Sequence, residues 1–92
     1  MSKKGFQEIL FHIDKVGSMH YNEVLRYAFE QHLIESRASV TTMLNSLTGM
    51  GLLDRTVMTN TKPIRTTYKL SKKGRNILHH LREIETEMKN SN

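Results

Sequence analysis

Ninety-two residues make one small domain, too short to wrap a large enclosed catalytic or ligand cavity. The composition, 37% apolar and 25% charged, is that of a soluble globular chain; no apolar run reaches membrane-span length, and the lack of cysteine excludes disulfides, thiolate metal sites and cysteine nucleophiles. The net charge of +5 sits almost wholly in the second half of the chain, where it is either a solvated face or a surface for a polyanion.

The start, Met1 to Phe6, is basic but has no long apolar run or small-residue cleavage site behind it, so no signal peptide is expected and a cytoplasmic location follows. A first helix is predicted from about Lys4 to Lys15, because Phe6, Ile9, Leu10, Ile13 and Val16 recur at helical spacing. Gly17 and Ser18 end it, and Met19 with His20 forms a short link, enough for a minimal edge strand. A second helix is predicted from about Tyr21 to Glu30, with Val24, Leu25 and Ala28 inward and Phe29 beside them. The pattern lapses between Gln31 and Glu35.

Ser36 supplies a capping hydroxyl for a third helix, whose stripe Val40, Met43, Leu44 and Leu47 is expected to be buried. Gly51 stands where a left-handed residue is needed to stop that helix, and Leu52 beyond it can pack back on the last turn. The period then becomes alternating. From Leu53 to Thr59, Leu53 and Val57 face one way; from Ile64 to Leu70, Ile64, Thr66, Tyr68 and Leu70 share one face and Arg65, Thr67 and Lys69 the other. Asn60, Thr61, Lys62 and Pro63 between them are turn chemistry, so the two runs form a β-hairpin. Ser71 caps a last helix running to about Lys89, with a fraying tail to Asn92.

The order is helix–helix–helix–hairpin–helix. It gives an α+β, mostly α fold of winged helix-turn-helix type: three helices, a hairpin wing and a long C-terminal helix. The run Val40-x-x-Met43-Leu44-x-x-Leu47-x-x-x-Gly51-Leu52-Leu53-x-Arg55 resembles the recognition helix and following strand of multiple-antibiotic-resistance-type and phenolic-acid-type winged-helix regulators. Tyr68-Lys69-Leu70-Ser71-Lys72-Lys73-Gly74 resembles their Tyr-x-Leu-Thr-x-x-Gly block, with Ser71 in place of the commoner Thr and the hydroxyl kept. Small archaeal winged-helix proteins that dimerise through a C-terminal helix share that segment and this length. The resemblance implies a DNA-binding homodimer that controls transcription. The larger regulators add further dimerisation helices and a ligand pocket, so no small-molecule effector is expected for this chain.

On that reading, residues 1–75 form the DNA-binding domain and residues 76–92 a dimerisation helix continuous with it. With the apolar stripe of the third helix inward, Ala38, Thr42 and Asn45 occupy the opposite face, flanked by Thr41 and Ser46, with Arg37 one residue past the cap. Small hydrogen-bonding side chains suit a helix entering a major groove about 12 Å wide. Lys62 at the hairpin tip and Arg65 on its outward face are candidates for phosphate or minor-groove contact. Lys72 and Lys73 start a helix, where cations oppose the dipole, and that conflict hints at phosphate binding. Ile77, Leu81, Ile84 and Met88 step by coiled-coil intervals and form the expected seam with a second copy; the competing use is to fold back over the first helix.

The histidines, His12, His20, His32, His79 and His80, show no metal-ligand spacing, and no nucleophile motif, phosphate-binding glycine loop or catalytic acid pair occurs. Neither metal, cofactor, membrane partner nor enzymatic activity is therefore expected. Two other readings stay open at this point: a chromatin-like protein with little sequence preference, and a winged-helix adaptor that binds protein.

Overall fold

The computed structural model describes residues 3–90, with side chains from Gly5 onward; Met1, Ser2, Ser91 and Asn92, and so the end of the tail expected to fray, lie outside the described residues. The elements are α1 (Lys3–Val16), β1 (Met19–His20), α2 (Tyr21–Glu30), α3 (Arg37–Gly49), β2 (Leu53–Met58), β3 (Arg65–Leu70) and α4 (Lys72–Asn90). This is the winged helix-turn-helix order. The strands form one antiparallel sheet in the order β1–β3–β2, with Met19 opposite Tyr68 and Leu53 opposite Leu70.

The core lies where one face of each of α1, α2 and α3 meets the base of the sheet. Ile9, Leu10 and Ile13 come from α1, Val24 and Ala28 from α2, and Val40, Met43, Leu44 and Leu47 from α3. Met19, Leu53, Tyr68 and Leu70 close it from the sheet, and Leu78 from α4. Removing apolar surface from water is the term that holds these elements together. Ile34, in the stretch where the periodicity lapses, is also buried and joins the same core.

Two helices stop in the same way. At the end of α3 the Gly51 N–H donates to the Thr48 carbonyl and the Leu52 N–H to the Leu47 carbonyl, with Gly51 at φ +76°. At the end of α2 the His32 N–H donates to Phe29 and the Leu33 N–H to Ala28, with His32 at φ +55°. In each case a left-handed residue turns the chain and the helix's last carbonyls find donors.

The hairpin differs from its sequence reading at the outer end. Ile64 lies in the turn before β3, 65% exposed, and Val57 is 52% exposed. Only Leu53, Tyr68 and Leu70 of the expected inward face are buried. The ladder continues to Met58 opposite Arg65, but the helices that cover one face of the sheet stop near Tyr68, so the outer wing has no body to pack on.

Candidate nucleic-acid interface

The third helix is held on three sides. Ser36 accepts a hydrogen bond from the Ser39 N–H at 3.2 Å, satisfying a donor the helix leaves free. The apolar stripe anchors the inner face, each member 4% exposed or less. The Tyr21 hydroxyl, from the first turn of α2, lies 2.8 Å from the Thr41 hydroxyl, which is also 3.4 Å from the Arg37 carbonyl. What remains in solvent is the expected face: Ala38, Thr42 and Asn45 opposite the stripe, with Arg37, Thr41 and Ser46 at its edges. Phe6, first of the apolar residues at helical spacing in α1, is half-buried and lines a shallow groove with Ala38, Thr42, Met43 and Ser46.

The C-terminal end of α3 is clasped to the start of α4. The Ser71 N–H donates to the Leu52 carbonyl at 3.0 Å, and the Ser71 hydroxyl donates to the Gly51 carbonyl while accepting from the Gly74 N–H at 2.9 Å. A β-carbon at position 74 would overlap the Leu52 carbonyl oxygen, so α4 can start this close only on a glycine. Lys73 reaches across to donate to the Met50 carbonyl at 3.0 Å. The conflict of a cation at a helix start is thereby offset: the ammonium sits at the negative end of α3, where it is favourable. Arg75 donates to the Leu70 carbonyl at 3.0 Å. Lys72 is exposed with Lys62 and Arg65.

The described structure therefore carries both the exposed face of α3 and the cationic hairpin that follows it. Arg55, Lys62, Arg65 and Lys69 are all exposed on the hairpin, and the carboxylate in its strands is Asp54, directly opposite Lys69 at the base. The Tyr21–Thr41 pair and the Lys73–Met50 bond escaped the sequence reading, because each joins positions some twenty residues apart with no periodic signature.

On α4 the two uses weighed for its apolar stripe divide along the helix. Leu78 is buried and Leu81 half-buried against the core. Arg82 pairs with Asp14 of α1 at 3.2 Å and lies 4.9 Å over the Phe11 ring. Ile77 is 36%, Ile84 55% and Met88 69% exposed. The helix thus docks on α1 as far as Arg82 and carries its remaining apolar residues into solvent.

Three of the five histidines have close side-chain partners: His12 stacks on Tyr27 with ring centroids 3.8 Å apart, His20 meets Glu23 at 3.0 Å and His79 meets Glu83 at 2.6 Å. Burial, and then the Glu8 carboxylate, push the Tyr27 phenol above the usual tyrosine range, so it stays protonated at neutral pH. Among the described residues no group of three or more His, Asp or Glu is placed to hold a metal ion, and no helix is long and apolar enough to cross a membrane.

Solved structures share this fold. A MarR-family transcriptional regulator from Porphyromonas gingivalis W83 superimposes with a TM-score of 0.65 at 24% identity, over 91% of this chain and 76% of that one. Diamide-treated YodB from B. subtilis gives 0.71 at 18%, over 91% and 78%. A cysteine-to-serine variant of MarR from E. coli, complexed with operator DNA, gives 0.71 at 20%, over 95% of this chain and 57% of that one. None of the curated proteins compared with the chain matches it. The HxlR-like helix-turn-helix family matches residues 2–91, nearly the whole chain. With that match and the helix–helix–helix–hairpin–helix order, the chain belongs to the HxlR-like helix-turn-helix family and is a winged helix-turn-helix protein.

Proposed function

We propose that the chain works as a homodimer that occupies a specific site on double-stranded DNA, with α3 in the major groove and the hairpin on the flanking backbone or minor groove. Family and fold are those of DNA-binding transcription regulators, and operator DNA is what MarR of E. coli and PadR of Bacillus subtilis hold in structures of this fold. The dimer, the groove contacts and the residues below are the finer reading. It involves no chemical step, cofactor or effector, and it suits a protein of the cytoplasm associated with the nucleoid.

One observation carries it: a helix pinned by Tyr21, its apolar stripe and the Ser71 clasp presents Ala38, Thr42 and Asn45 to solvent, and the hairpin that follows it in the chain exposes Lys62 and Arg65. Asn45 can offer a donor and an acceptor together to adenine, Thr42 a methyl to thymine or a hydroxyl to phosphate, and Arg37 a bidentate contact to guanine or phosphate. Ala38 and Ser46 are small enough to let the helix sit deep, while Thr41 edges the same face. Lys62, Arg65, Lys72 and Lys73 supply charge that releases counterions from the duplex. Ile77, Ile84 and Met88, with the part of Leu81 that its own core leaves open, form the seam between the two α4 helices. The pairing sets the two α3 helices about one turn of DNA apart and favours a palindromic site.

Selection of bound fragments from random duplex DNA tests this reading directly. A defined palindrome is the expected product. Asn45→Ala should relax preference at one base position, a cost of about 1–3 kcal/mol. Arg65→Ala should weaken all sequences alike and lower the salt slope by about one. Enrichment of no sequence, with steep salt dependence, would convert the assignment to a chromatin-like protein; a monomer without duplex binding at low salt would convert it to an adaptor.

A further inference from the structure

The outer wing exposes apolar side chains that its own domain cannot cover. Val57 and Ile64 are 52% and 65% exposed, and Met58 also faces solvent. The register pairs Val57 with Thr66, and alternation along β3 sets both on the face that carries Leu53, Tyr68 and Leu70 further in. That face is core at the base of the hairpin and bare at its tip. The turn that presents Ile64 is tied locally, with the Thr61 hydroxyl 3.1 Å from both the Met58 and the Pro63 carbonyls.

The charge around this patch has one sign. Arg55 shares the face of Val57, Lys62 lies in the turn with Ile64, and Arg65 and Lys69 lie on the reverse face of the same narrow ribbon, all exposed, and no carboxylate occurs between residues 55 and 82. A partner that fits must offer apolar surface between two lines of negative charge. The minor groove does so: its walls are deoxyribose carbon–hydrogen faces, and phosphates edge it on both sides. Its width of about 6 Å admits a hairpin tip with branched side chains, not a helix.

Resting on the DNA-binding reading above, we infer that Ile64 and Val57 seat the wing in the minor groove by apolar contact with the sugar walls, while Lys62 and Arg65 grip the phosphates on either side. Apolar contact and phosphate neutralisation depend differently on salt. Counterion release makes the second fall steeply with ionic strength, and the first is nearly indifferent to it. The wing thus supplies affinity that survives at high salt, which its cations alone cannot.

The test compares Ile64→Ser, Val57→Ser and Lys62→Ala with the wild-type chain on the duplex recovered by selection, across a range of salt. Both apolar residues are exposed, so the serine variants should unfold at the wild-type temperature, and Ile64→Thr provides a second, β-branched control. Ile64→Ser is expected to weaken binding about tenfold at low and at high salt alike, with the salt slope unchanged and hydroxyl-radical protection of the flanking minor groove lost. Lys62→Ala should instead reduce the slope. Wild-type affinity and intact protection in Ile64→Ser would overturn the inference and leave the patch to a protein surface. A loss that vanishes at high salt would overturn it too. Failure of the wild-type chain to bind any duplex would remove the DNA-binding reading itself, an outcome separate from these.

Discussion

The hairpin and α4 each have an anchored end and a projecting end, and the two ends are built from different chemistry. At the anchored ends, Leu53, Leu70 and Leu78 are buried, and Ser71 and Lys73 spend their polar groups on the carbonyls that end α3. At the projecting ends, Val57, Ile64, Ile84 and Met88 are all more than half exposed, and the cations near the wing tip point outward. Residues of one type therefore do opposite work according to distance from the core. The anchored ends tie the end of α3 to the start of α4; the projecting ends leave apolar side chains in solvent.

Leu78 and Ile84 break this comparison most sharply, because they lie on one helix. Leu78 is 1% exposed, so Leu78→Ala should cost about 2–5 kcal/mol of unfolding free energy in urea titration, through lost transfer energy plus the cavity. Ile84→Glu should leave protomer stability within about 0.5 kcal/mol, yet halve the sedimenting mass. A wild-type mass in Ile84→Glu would remove the proposed seam, and a marked loss of stability would mean that the outer half of α4 packs on its own domain.

The anchored regions were also the legible ones. Ser36, the stripe Val40 to Leu47 and Gly51 delimit α3 because caps, periodicity and a left-handed stop are local events within a few residues. The same holds for Ser71, whose capping role appears as expected in the 2.9 Å bond from Gly74. Alternation sets Ile64 and Val57 inward because it reports that a strand has two faces, not where the body covering one of them ends. The position of Lys73 in α4 shows only a cation at a helix start, whereas its partner is the far end of α3, twenty-three residues back. The exposed face of α3 could be listed from the sequence. That Tyr21 and Phe6 border it could not, since both depend on how the helices cross.

The Ser71 clasp gives the next largest effect. Ser71→Ala removes the acceptor for the Gly74 N–H and the donor to Gly51 together, and should destabilise by about 1 kcal/mol, with Ser71→Thr restoring it. If the clasp positions α3, Ser71→Ala should also lower duplex affinity at constant dimer mass. Equal affinity would reduce the clasp to a cap and nothing more.

The smallest effect is expected at α2, whose ending copies that of α3 with one change. Gly51 holds φ +76° without a β-carbon to clash, whereas His32 holds φ +55° with one. A non-glycine residue in that region carries a steric cost of roughly 1–2 kcal/mol. Replacing it with glycine relieves that cost but frees the unfolded chain, which returns part of the gain. His32→Gly should therefore stabilise by a few tenths to about 1 kcal/mol in chemical denaturation. The His32 side chain is exposed, so no lost packing opposes the gain. Destabilisation would mean that the imidazole itself holds the α2–α3 turn, and the two helix ends would then differ in kind.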